Sequence, residues 1–255
     1  VIDLGKAAAL ADRLVSAAAA EIQPRFRQAI PTESKADITP VTEADRAAER
    51  AIRDILRVEC PDDGIVGEEY GIAAGSSGRT WVIDPIDGTK AFITGRATFV
   101  TLLALLDDGV PVLGVIDQAI TGDRWIGLAG RPTLHNGKPV KARASVPLDA
   151  AVFSTSDPNL FPGADVEVYS RVSAAARTRT YGGDGFAYGL LASGWIDIVL
   201  ESGLKLHDFA ALAPVIEGAG GMITDWSGNR LNAKSDGRVL ATGSAALHKH
   251  VLALI

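Results

Sequence analysis

The chain has 255 residues, 47% of them hydrophobic, a net charge of −6 and one cysteine, Cys60. That length suits one large domain or two small ones, with ample apolar material for a core. An acidic balance without a basic patch argues against a nucleic-acid partner, a single cysteine excludes an internal disulfide and fits a reducing compartment, and no apolar run reaches membrane-spanning length.

Residues 2–22 predict a helix, with Leu4, Ala8, Ala11, Leu14, Val15, Ala18 and Ile22 recurring at helical spacing. Asp3, Lys6, Asp12 and Arg13 interrupt any signal-peptide core, so a cytoplasmic protein is expected. Pro24 and Pro31 end the pattern, and residues 31–41 read as a polar loop. A second helix starts at Thr42, where Thr42-Glu43-Ala44-Asp45 has capping-box form; Asp45 is then a cap partner. Cys60 reads as packing. Ile65-Val66-Gly67-Glu68-Glu69 runs from an apolar pair into two acids, which alone suggests a solvated turn. Residues 71–79, rich in Gly and Ser, read as a surface loop.

Trp81-Val82-Ile83 predicts a buried strand that carries Asp84 and Asp87 at its end. Pro85 lacks an amide donor and is expected to stop that strand. Gly88 permits a tight turn, and Thr89-Lys90 open a short helix whose free amides suit phosphate. Carboxylates repel phosphate unless hard cations lie between them, and Mg²⁺ is the usual choice. An ordinary Asp-Pro/Asp-Gly turn is the competing reading of the same residues.

Thr98–Leu106, Val110–Ile116 and Arg124–Leu128 read as antiparallel strands, with turns at Asp107-Asp108-Gly109 and later at Asn136-Gly137. From Val152 the chain alternates: strand 152–155, helix 165–176, strand 177–181, helix 185–193, strand 195–200, helix 207–218, strand 239–242, helix 244–254. The expectation is one compact α/β unit over residues 1–255. It would have two lobes, about 1–145 with mixed helices and antiparallel sheet, and 146–255 of α/β type. Gly182-Gly183-Asp184-Gly185 falls between a strand and a helix, Glu201 ends a strand, and Asp208 opens a helix as an ordinary dipole-stabilising acid.

Together, Pro40–Asp45, Gly67-Glu68-Glu69, Asp84-Pro85-Ile86-Asp87-Gly88-Thr89, and Asp208-Phe209-Ala210-Ala211 with Gly220-Gly221 resemble the inositol monophosphatase family of metal-dependent phosphatases. The resemblance spans residues 30 to 230 and implies a layered α/β/α/β/α fold and a homodimer. It also implies two to three Mg²⁺ ions. Glu68, Asp84 and the Ile86 carbonyl would hold one; Asp84, Asp87 and Asp208 a second; Glu68 would share a third. Asp87 and the Gly88 and Thr89 amides would meet the phosphate. Asp45, Glu68 and Thr89 would be catalytic, orienting and deprotonating the attacking water. His207 stands where the family usually has an aromatic and reads as packing or a neighbour of the ligands.

For the substrate, Lys90–Gly95, Gly114–Gln118 and Leu204–Phe209 resemble the histidinol-phosphate phosphatase branch. Gly183, Asp184, Glu201 and Asp208 would contact the substrate. Asp184 and Glu201, carboxylates beyond those the metals need, suit a cationic leaving group such as L-histidinol. Asp184 as a mere helix cap is the competing reading. Inositol 1-phosphate and a 3′(2′),5′-bisphosphate nucleotide are the other esters to consider, the latter calling for basic residues that the sequence does not visibly cluster. A non-catalytic binding protein of the same fold would be expected to lose a ligand, and every matched acid is present.

Overall fold

Asp3 starts the first helix, α1 (Leu4–Ile22), its carboxylate accepting from the amides of Gly5 and Lys6 at 3.0 and 3.1 Å. Its buried stripe of Ala11, Leu14, Val15, Ala18 and Ile22 meets Ala44, Ala48, Ile52 and Leu56 of α2 (Glu43–Glu59). The computed structural model describes residues 3–28, 33–34, 40–41 and 43–255; the Thr42 cap and most of the 31–41 segment lie outside them. Strands β1 (Glu33–Ser34) and β2 (Pro40–Val41) pair antiparallel.

The main sheet follows: β3 (Gly64–Gly67), β4 (Gly71–Ala73), β5 (Arg79–Asp87), then helix α3 (Thr89–Ile93), β6 (Val100–Asp107), β7 (Val110–Gln118), β8 (Asp123–Leu128), β9 (Leu134–His135) and β10 (Lys138–Pro139). Its eight strands lie in the order β10-β9-β8-β7-β6-β5-β3-β4. Every pairing is antiparallel except β3 with β5. Strand pleating sorts the side chains. Trp81, Ile83, Leu103, Leu105, Leu113 and Val115 pack under α1 and α2, while Val82, Leu102, Ala104, Leu106 and Ile116 face the other way. The β6–β7 hairpin turns on Asp108 and Gly109 with φ of 46° and 80°, the primed turn that matches strand twist.

The second half contains β11 (Val152–Thr155), α4 (Asp165–Ala175), β12 (Thr178–Tyr181), α5 (Asp184–Ala192), β13 (Ile198–Glu201), α6 (Leu206–Phe209), α7 (Leu212–Gly218), β14 (Met222–Asp225), β15 (Val239–Thr242) and α8 (Ala245–Leu252). Its five-stranded sheet runs β12-β11-β13-β15-β14. Tyr188 and Leu191 of α5 and Leu212 and Val215 of α7 fill the space between the sheets, against Val199, Val239 and Ala241. Val168, Val172, Leu247 and Val251 of α4 and α8 cover the outer face at Phe153, Ile198, Leu200 and Leu240. The result is the expected α/β/α/β/α layering. The start of α7 lies so close to the main sheet that a Cβ on Gly114 would stand 1.9 Å from the carbonyl oxygen of Ala211, the residue that precedes the helix.

Several expectations need correction. β5 continues through Pro85 to Asp87. Residues 71–73, expected as loop, form the edge strand β4. The strand expected from 195 begins at Ile198. The helix expected over 207–218 is two, α6 and α7. Pro214 explains that break: it has no amide for the Ala210 carbonyl, and is tolerated only in the first turn of a new helix. β14 and the short β9–β10 hairpin arms were not expected. Among the described residues no helix is long and apolar enough to cross a membrane.

Candidate active site

The site grows from an irregularity in β5. Asp84 pairs with Leu102 and Asp87 with Val100, so the register slips between them. Pro85, with no donor for the ladder, sits in this bulge, and its carbonyl accepts from Thr101 Oγ1 at 2.8 Å. In a regular strand, residues three apart face opposite sides. The bulge removes that constraint and brings Asp84 and Asp87 to one side. Gly88 follows at φ 84°, a left-handed conformation that glycine adopts freely, and α3 begins. Thr89 Oγ1 donates to the Ile86 carbonyl at 3.1 Å, and the Ile86 amide donates to Asp84 Oδ1 at 3.1 Å.

Two more carboxylates arrive from elsewhere. Glu68 stands just past β3, its amide donating to Ile83 O at 3.1 Å. Asp208 comes from α6, fixed by the Lys205 amide at 2.7 Å. Ligand atoms of Asp84, Asp87 and Asp208 lie within 4.8 Å of one another, as do those of Glu68, Asp84 and His207. Asp84 belongs to both groups. His207 is closer to the acids than a packing role required, its Nε2 3.4 Å from Asp208 Oδ1.

Burial, then the charges of Glu68, Asp87 and Asp208, push the Asp84 carboxyl well above its usual range. Asp87 is pushed up in the same direction by burial and then by Asp184 and Asp208. Buried acids this close repel one another unless a cation neutralises them. The mainly oxygen donor set fits hard divalent ions.

A cleft of about 260 Å³ opens over these acids, lined also by Gly88, Thr89, Lys90, Arg96, Ser156 and Asp184. Asp184 is the first residue of α5, with φ 42°, an uncommon conformation outside glycine. Gly183, not Asp184, holds the cap position. Burial raises the Asp184 carboxyl, with Ser156, Arg96 and Lys90 acting against that and Asp208 adding to it. Asp184 also lies over the Gly88 turn: a Cβ on Gly88 would stand 2.8 Å from its Oδ2. The Gly185 amide donates to Asp87 Oδ2, so α5 is tied directly to the acid cluster.

The remaining predicted residues lie further back. Glu201 is not among the residues lining the cleft. It is 2% exposed and accepts from Thr155 Oγ1 at 3.1 Å and from the Ser156 amide and hydroxyl at 2.7 and 2.8 Å. Burial raises its carboxyl to about 7 against those bonds. Ser156, which does line the cleft, stands between Glu201 and the open space. Gly183 also lies outside the lining; a Cβ there would meet that of Ala187 at 2.8 Å. Asp45 is buried in the first turn of α2, outside the lining and outside both ligand groups. Sequence reasoning missed Ser156 and found no basic cluster, yet Lys90 and Arg96 both line the cleft.

A model of the inositol monophosphatase family matches residues 3–255. The bifunctional phosphatase IMPL2, chloroplastic, of Arabidopsis thaliana is 44% identical over 98% of this chain and 75% of its own length. A histidinol-phosphatase of Mycobacterium tuberculosis is 36% identical over 86% of each chain. The structure of an inositol monophosphatase from Zymomonas mobilis superposes with a TM-score of 0.91 at 45% identity, covering 100% of this chain and 99% of its own. The layered fold, the acid cluster and these similarities agree over nearly the whole length, and the chain belongs to the inositol monophosphatase family of metal-dependent phosphatases.

Proposed function

We propose that this protein is a Mg²⁺-dependent phosphomonoesterase that hydrolyses L-histidinol phosphate to L-histidinol and phosphate. The observation that carries the substrate is Asp184, an acid in the cleft beyond the ligand groups, poised above the phosphate turn. Relatives named histidinol-phosphatase support it. Glu68, Asp84, the Ile86 carbonyl, Asp87 and Asp208 would hold two to three Mg²⁺, which when bound supply Lewis acidity and neutralise charge at the phosphoryl oxygens.

The chain's own residues do the rest. The Gly88 and Thr89 amides bind the phosphate, which the Asp87 carboxylate would meet only with the cations between them. Thr89 and Asp45 would orient the attacking water and help deprotonate it, with Glu68 assisting. The P–O bond to the ester oxygen breaks as the water oxygen bonds to phosphorus, and the proton drawn from the water ends on the ester oxygen, which leaves as the free alcohol. Asp184 and Asp208 face the leaving group, with Gly183 setting the entry to α5. L-Histidinol carries an ammonium and an imidazole, both donors to a carboxylate. Glu201 holds Ser156, which lines the cleft together with Asp184. The same reading includes one unit of two lobes and a homodimer working in the cytoplasm; gel filtration tests the dimer.

Inositol 1-phosphate is the second reading, favoured by the similarity to the Zymomonas mobilis structure. The deciding experiment measures phosphate release, with Mg²⁺, from L-histidinol phosphate, inositol 1-phosphate and adenosine 3′,5′-bisphosphate. The highest kcat/KM is expected for histidinol phosphate. Preference for inositol 1-phosphate would overturn the substrate and leave the phosphatase standing.

A further inference from the structure

Glu68 stands on a three-residue turn between β3 and β4, where Gly67 pairs with Gly71. All three amides of that turn have partners in other elements. The Glu68 amide donates to Ile83 O of β5 at 3.1 Å. The Glu69 amide donates to Glu49 Oε2 at 2.7 Å, and the Tyr70 amide to Glu49 Oε1 at 3.2 Å. Glu49 belongs to α2 and is 0% exposed. Arg53, one turn along the helix and 4% exposed, donates from Nε to Glu49 Oε1 at 2.7 Å and from Nη2 to the Gly71 carbonyl. The turn's far end is thereby held as well.

The space for this clamp comes from a missing side chain. A Cβ on Gly67 would stand 1.9 Å from Glu49 Oε1 and 2.7 Å from Arg53 Nη2. A fully buried carboxylate is costly unless paired and hydrogen-bonded. Glu49 has both, and its partners are the backbone on either side of a metal ligand.

The geometry points to Glu49, with Arg53, as a positioning residue for the metal site. It touches neither substrate nor cation, and it fixes the backbone of the turn so that the Glu68 carboxylate is presented to Asp84. The inference rests on the reading of Glu68 as a Mg²⁺ ligand. Partners that orient ligands characteristically change metal affinity ~10–100-fold when altered.

The test is Glu49→Gln. The amide has the same shape but offers one acceptor oxygen where two amides need one each, and it loses the ion pair with Arg53. Mg²⁺ binding is measured by calorimetry without substrate, and the Mg²⁺ dependence of activity alongside. The expected result is Mg²⁺ affinity weakened about 10-fold or more, with KM for the phosphate ester at saturating Mg²⁺ nearly unchanged. Ile52→Val, in the core of the same helix, serves as a control that loses stability alone and should keep wild-type Mg²⁺ affinity. If Glu49→Gln does not fold, Arg53→Lys decides by the same measure, since lysine keeps the charge but not the fork to Gly71. Wild-type Mg²⁺ affinity in the folded variant, whatever its melting temperature, overturns the inference. A wild type that binds no Mg²⁺ overturns the metal reading itself, and the inference with it.

Discussion

Asp87 has two tasks that one substitution separates. One oxygen accepts from the Gly185 amide, and the charge belongs to the Asp84–Asp208 ligand group. Asp87→Asn keeps an acceptor for Gly185 and removes the charge. Activity should fall to near background with the circular dichroism spectrum unchanged; substantial turnover in the purified variant would remove Asp87 from the ligand set. Thr89→Ala removes the hydroxyl bonded to Ile86 O but leaves the turn amides. Its loss should appear in kcat, and steady-state kinetics that show only a raised KM would reassign Thr89 to binding. Asp184→Asn tests substrate choice. A charge-assisted hydrogen bond contributes ~1.5–3 kcal/mol, or about tenfold to a hundredfold. The preference for histidinol phosphate over inositol 1-phosphate should shrink by that factor. Equal loss on both substrates would make Asp184 structural.

Among the elements, α5 is placed by contact at its first turn. A Cβ on Gly185 would stand 2.6 Å from Asp87 Oδ2 and 2.8 Å from Val100 Cγ2. Gly185→Ala should therefore displace Asp184 and Asp87 together, lowering kcat/KM on every ester; unchanged kinetics would show that the helix start gives way freely. The sequence carried the acids plainly, because Asp84, Ile86 and Asp87 sit in one contiguous motif, and Glu68 and Asp208 follow recognisable local patterns. It hid the bulge, since that depends on Thr101, a residue of another strand, bonding to Pro85. β4 was hidden by its Gly- and Ser-rich surroundings: its three residues are exposed, and pairing with β3, not propensity, makes it a strand. The position of Glu201 behind Ser156 was hidden because an acid at a strand end looks the same whether it faces a cleft or a neighbouring hydroxyl. Lys90 and Arg96 were missed because they converge only in space.

For the molecule as a whole, His248 makes stability depend on pH. The imidazole is 2% exposed, bonded to Thr224 and Thr242, and burial lowers it to about 4 from its usual 6.5. The unfolded chain thus binds this proton more readily than the native one. Stability is whole above pH 6.5, declines as pH falls through the interval to 4, and levels off below it. That gap corresponds to about 3 kcal/mol. Denaturant midpoints should be lower at pH 5 than at pH 7.5 by part of that amount, since pH 5 lies inside the interval, and His248→Gln should flatten the difference in this window; an equal slope in both proteins would locate the acid sensitivity elsewhere. The bond from Gly185 to Asp87 joins residues 98 positions apart, and Asp208 is further still from its fellow acids. Closing loops of that length is slow, and chains of this size commonly fold through intermediates. During refolding, helical signal should therefore return before turnover does, and with Asp208 proposed as a metal ligand no catalysis is expected on the ribosome before it emerges. Stopped-flow far-ultraviolet signal compared with the regain of phosphate release checks this. Turnover that returned with the earliest phase would mean the two halves find each other before either is formed.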